Sequence, residues 1–141
     1  MATSSTESGL HQWRSRAIDA FARAEAAIDG LLRNQNLVGK GELVSAKLER
    51  LRKLKSSSAY SVERKQAIDA VLVEIAALLP IRNDLAHATM IVRKEGEQAI
   101  ACFANPNLAC SYSRVSREIA APRLQALAAR TNHLAMMLET A

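Results

Sequence analysis

The chain has 141 residues, 49% of them hydrophobic, with only five glycines and three prolines, which predicts one compact domain and excludes collagen-like, linker-dominated and wholly disordered chains. Alanine occurs 26 times and aromatics five times (Trp13, Phe21, Tyr60, Phe103, Tyr112); pleated sheet faces favour β-branched and aromatic residues, so this usage favours helices in contact through small side chains. Nineteen Lys and Arg stand against fourteen Asp and Glu, a net charge of +5, which permits phosphate contact without demanding it.

Residues 1–8 read as a disordered polar tail lacking the apolar stretch of a signal peptide, and residues 9–141 as a single domain. A first helix spans Leu10 to Leu32, where Leu10, Trp13, Ala17, Ala20, Phe21, Ala24, Ile28, Leu31 and Leu32 keep a helical period. Asn and Gly residues from Asn34 to Gly41 supply its stop signals. A second helix runs from Glu42 to Lys55, with Leu43, Ala46, Leu48, Leu51 and Leu54 inward and Lys47, Arg50, Arg52, Lys53 and Lys55 on its other face.

A third helix starts at Ser61, an N-cap residue with Glu63 in the first turn. Its apolar seam is Ile68, Leu72, Ile75 and Leu79, and Pro80 is expected to bend it before it ends near Ala88. Thr89–Arg93 and Gln98–Phe103 then form a β-hairpin around Lys94-Glu95-Gly96-Glu97, closed by Asn105-Pro106-Asn107. The last helix begins between Ser113 and Pro122 and reaches Leu138. Four helices with one stripe each predict an all-α fold: an antiparallel four-helix bundle with a short hairpin before the C-terminal helix.

The segment with chemistry in it is Leu79-Pro-Ile-Arg-Asn-Asp-Leu-Ala-His-Ala88. At about 100° per residue, Arg82 continues the Leu79 seam and falls within the apolar arc, whereas Asp84 points to the opposite, solvated side. Asn83 and His87 are four apart and neighbours. Arg82 and His87 lie about 140° apart, so they converge through a distorted helix or through a second chain.

The string Arg82-Asn83-Asp84-Leu85-Ala86-His87 resembles the Arg-polar-x-x-x-His motif of the HEPN superfamily, helical-bundle proteins of defence and toxin–antitoxin systems, many of them metal-independent RNA endonucleases. The resemblance extends over most of the chain: a long helix ending in the motif, a hairpin, Tyr112-Ser113, then an amphipathic helix. It implies a homodimer whose two chains place Arg82 and His87 in one composite site, with RNA as substrate and a cyclic phosphate as product. His87 would act as base or acid, Arg82 as phosphate clamp, and Asn83 as orienting residue. It also implies a cognate antitoxin or regulatory partner. Two departures stand out: Thr89 occupies the position where some HEPN toxins carry a tyrosine modified by a partner nucleotidyltransferase, and Ala88 replaces a common glycine. The regulatory subclass using that tyrosine is therefore not expected.

The competing expectation is a non-catalytic regulatory or protein-interaction module. There Arg82 pairs with Asn83 or with an acid such as Glu25 or Asp29, and His87 caps its helix end. Other features are bland. Gly39-Lys40-Gly41 lacks the remainder of a phosphate loop and reads as a turn. The basic face of the second helix, with Arg64 and Lys65, either tracks a nucleic-acid backbone or is a solvated face. His11 and His133 are isolated, and Met136-Met137 fill core or dimer gaps. Cys102 and Cys110 lack the spacing of a metal site or disulfide framework. No cofactor, metal or membrane span is expected, and the expected location is the cytoplasm.

Overall fold

Helix α1 (Glu7–Asn34) carries the first apolar stripe and stops where its Asn residues predict. Asn36 adopts φ 56°, and the Leu37 and Asn36 amides donate to the Leu32 and Arg33 carbonyls at 2.9 and 3.0 Å. That is the Schellman arrangement, which satisfies carbonyls the helix itself leaves open. The protein is described here in a computed structural model, for residues 7–37, 42–58, 60–104 and 117–141. The expected tail up to residue 6, the Gly39-Lys40-Gly41 turn, Asn105-Pro106-Asn107, Cys110 and Tyr112-Ser113 lie outside the described residues.

Helix α2 (Val44–Arg52) is shorter than expected. Leu43 is its N-cap and 76% exposed, and Ala46 is also exposed, so neither faces inward as the spacing suggested. Starting at Val44 sets the inward side by Leu48 and Leu51, and Ala46 then falls on the far side of so short a helix. Helix α3 (Val62–His87) begins as predicted: the Ser61 Oγ accepts the Arg64 amide at 3.1 Å, and Glu63 lies in the first turn. Pro80 sits inside the helix, which continues seven residues beyond it.

Strands β1 (Thr89–Glu95) and β2 (Gln98–Ala104) pair antiparallel from Thr89↔Ala104 to Glu95↔Gln98. Only Gly96 and Glu97 join them. Gly96 has φ +62° while Glu97 does not enter the positive region, the pattern of a type II′ turn, whose twist matches that of the strands. A third strand, β3 (Arg117–Ala120), pairs with β2 through Ile100↔Ala120 to Phe103↔Arg117, giving the order β1-β2-β3. Helix α4 (Ala121–Glu139) follows at once, with Pro122 in its first turn, a place where the missing N–H costs nothing. The fold is therefore mostly helical but α/β, four helices plus a three-stranded antiparallel sheet, rather than all-α with a two-stranded hairpin. The extra strand went unseen because four residues are too few to show a period of two, and Pro122 marked only one possible helix start.

The chain forms two compact units: Met1–Ala20 with Pro80–Arg130, and Phe21–Leu79 with Thr131–Ala141. In the second, the helical unit, Ile28, Leu32, Leu48, Leu51, Ile68, Leu72, Ile75, Leu134 and Leu138 are buried in one cluster. Met136 and Met137 are 45% and 40% exposed, outside that core. In the first, the sheet unit, all of β2 from Ala99 to Phe103 is buried, with Phe103 wholly enclosed. On one sheet face Arg93 reaches across β2 to the Glu118 carboxylate at 3.1 Å, tying both edge strands over Cys102, which is buried. No helix among the described residues is long and apolar enough to cross a membrane.

Candidate functional site

Through its first five turns α3 buries Ile68, Val71, Leu72 and Ile75, but beyond Pro80 the buried residues are Asp84, Leu85 and Ala88. At 100° per residue the centre of the second set is turned about 140° around the helix from that of the first, with Leu85 nearest to it. The seam therefore does not run on into Arg82, and Asp84, expected in solvent, is only 5% exposed. Its carboxylate accepts a 2.7 Å bond from the Arg117 Nε at the start of β3. Arg117 also gives Asp84 the partner that a buried carboxylate requires.

Turning Asp84 and Leu85 inward leaves the other side of the same two turns outward. Asn83, Ala86 and His87 are exposed and Arg82 is half-buried. Around the helix they follow in the order Arg82, Ala86, Asn83, His87 over an arc of about 140°. Ala86, the smallest, forms the floor between the two cationic-capable side chains. The Arg82 Nη1 donates to the Asn83 Oδ1 at 3.1 Å, drawing the guanidinium along the arc toward the histidine side. On helical geometry the Arg82 and His87 Cα atoms are about 8–9 Å apart, with side chains leaving the helix about 140° apart.

The carbonyls at the end of α3 are capped by Arg14, whose Nε and Nη2 donate to the Leu85 and Ala88 oxygens at 2.9 and 2.8 Å. Its guanidinium also lies 5.7 Å from the Phe103 ring centre, within cation–π range. His87 lies exposed in the last turn of α3, and among the described residues its ring has no hydrogen-bond partner. Glu25 and Asp29, offered as partners for Arg82, instead hold Lys47 at 3.1 and 3.0 Å. Lys47 is nearly enclosed, and its hydrogen bonds to Asp29 and then Glu25 push its pKa up. Arg82 does bond Asn83, but at the surface rather than in a buried pair.

Two residues that fix this site escaped the sequence reading. Arg14 stands at the stripe position between Leu10 and Ala17, and a cation on an apolar stripe is the signal that could have marked it. Arg117 carried no such signal, because its strand was not foreseen. Among the described residues no group of three His, Cys, Asp or Glu could hold a metal ion. Comparison with protein-family models, curated proteins and solved structures finds no match to this chain.

Proposed function

We propose that the chain is a metal-independent RNA endonuclease of the HEPN type, acting through Arg82, Asn83 and His87. The observation that carries this reading is the outward face itself: Arg82 bonded to Asn83, with an uncommitted His87 one turn along. Cleavage needs a base to take the 2′-OH proton as that oxygen attacks phosphorus, and an acid to protonate the leaving 5′-oxygen. A histidine serves either role near neutral pH. Two copies of the chain supply two His87 side chains, one for each proton, so a homodimer completes the chemistry. Arg82 offers a permanently charged fork to the equatorial phosphate oxygens as negative charge builds there. Asn83 holds that fork in place. The products are a 2′,3′-cyclic phosphate and a 5′-hydroxyl, with no net change in protons.

Incubating the full chain with single-stranded RNA in EDTA tests this reading. Cleavage is expected to leave cyclic-phosphate ends, to stop at a single 2′-deoxy nucleotide, and to fall at least about 100-fold in His87→Ala. Intact RNA across varied sequences, or cleavage that His87→Ala leaves unchanged, overturns it. A silent wild type whose His87→Ala variant loses binding to another protein instead marks the regulatory module.

A further inference from the structure

Within the helical unit, the end of α2 and the first turns of α3 border an open cleft of about 640 Å³ with nine lining residues, Arg52, Lys53, Lys55, Lys65 and Asp69 among them. Four of the lining residues are cationic and one is a carboxylate. Not all of that charge is available. The Lys65 Nζ is committed to the Arg52 carbonyl at 2.8 Å and to the Asp69 Oδ2 at 2.9 Å. It thereby neutralises both the exposed carbonyl end of α2 and the only acid in the wall. Arg52 makes a 3.3 Å pair with Glu49 in which both side chains remain largely exposed, a contact worth little. Lys53 and Lys55 are exposed and have no partner among the described residues.

Two free ammonium groups and a loosely held guanidinium therefore face one cleft whose acid is already paired. The positive end of α3 opens beside them, since Ser61 caps only the Arg64 amide.

We infer that this cleft binds the phosphate backbone of an RNA strand through Arg52, Lys53 and Lys55. A strand fits better than an isolated phosphate, because the cleft far exceeds one phosphate group and is open rather than enclosing. None of its nine lining residues is aromatic, so bases gain no stacking platform and binding is insensitive to sequence. The inference rests on the reading of this protein as one that acts on RNA, but it concerns a surface separate from the His87 chemistry.

Binding is measured by fluorescence anisotropy with a labelled 12-nucleotide single-stranded RNA. The His87→Ala chain serves as background, so that failure to cleave and failure to bind are read separately. In that background Lys53→Ala/Lys55→Ala is compared with Arg33→Ala/Arg123→Ala, which removes the same charge from exposed sites elsewhere. Each lost contact to a single strand lowers the salt slope by about 0.7, so the lysine pair is expected to flatten log Kd against log salt by about 1.4. By the same relation, affinity falls about 25-fold at 0.1 M salt. Equal slopes and affinities in the two double variants overturn the proposal, as does the absence of RNA binding in the background chain. A nucleoside triphosphate or inorganic triphosphate that binds in a Lys53- and Lys55-dependent way where RNA does not assigns the cleft to free phosphates and also overturns it.

Discussion

The two units are held together by different physics. The helical unit buries large aliphatic side chains against one another, Ile28, Leu32, Leu51, Ile68, Leu72 and Leu134 among them. The sheet unit has fewer such groups and many buried alanines, at positions 17, 20, 88, 99, 101, 121 and 128. Polar ties between elements occur in both units, but those of the sheet unit include a buried carboxylate: Asp84 to Arg117, beside Arg14 to the end of α3 and Arg93 to Glu118, whereas the Glu25 and Asp29 carboxylates that hold Lys47 stay partly exposed. Apolar burial tolerates neighbours of roughly the right size, whereas a polar tie fixes which atoms meet.

Truncation inside each unit separates the two kinds of support. Leu72→Ala, in the centre of the helical core, is expected to cost about 3–5 kcal/mol, the largest single effect, read from the denaturant midpoint. Asp84→Ala removes the one buried carboxylate tie among the described residues and is expected to cost about 2–3 kcal/mol, less than a fully buried pair because Arg117 keeps about a third of its side chain in solvent. If Asp84→Ala matched a surface substitution, within about 0.5 kcal/mol, the polar tie would not support the sheet unit.

The fate of the Arg82–His87 string shows what the sequence could and could not carry. The Ser61 cap, the Asn-rich stop of α1 and the Gly96 turn are local signals, and each appears in the structure where local chemistry puts it, whereas α2 keeps only the middle of its expected span. Which side of α3 is buried beyond Pro80 is not local. The buried residues shift around the helix beyond Pro80, so extending the Leu79 seam places Arg82 inward and Asp84 outward, whereas Asp84 is buried and Arg82 half-buried. Strand β3 was hidden for a related reason: Arg117-Glu118-Ile119-Ala120 becomes a strand because β2 offers it an edge, not because four residues declare one. Arg82, Asn83 and His87 were legible as residues, and their common outward face only as geometry.

Smaller effects sharpen the contrast further. Gly96→Ala meets no atom within 4 Å at its new Cβ, so its expected cost of about 1 kcal/mol reflects the φ of +62° alone. A cost near zero would mean the turn relaxes to another type. Two groups of the helical unit bear on stability at high pH. Tyr60 is buried, its hydroxyl finds no partner among the described residues, and burial, then the nearby Asp69 charge, pushes its pKa above 10.0. Lys47, held by Asp29 and Glu25, is also raised above its usual 10.5. Both raised values mean stability that is complete below pH 10 and lost as pH climbs through the folded-state values. Tyr60→Phe is expected to be neutral or slightly stabilising at pH 7, by under about 1 kcal/mol, and to flatten that alkaline loss. An unchanged alkaline limb in a Tyr60→Phe/Lys47→Met chain would assign it to other groups.

The division of α3 into an inward anchor and an outward chemical face is tested most directly by RNA cleavage in EDTA at matched folded fraction, comparing His87→Ala with Asp84→Asn. His87→Ala is expected to keep the wild-type unfolding midpoint and to lose at least about 100-fold in rate. Asp84→Asn is predicted to lower the midpoint while each folded molecule cleaves within a few-fold of wild type. Equal cleavage by wild type and His87→Ala, with both fully folded, would contradict it.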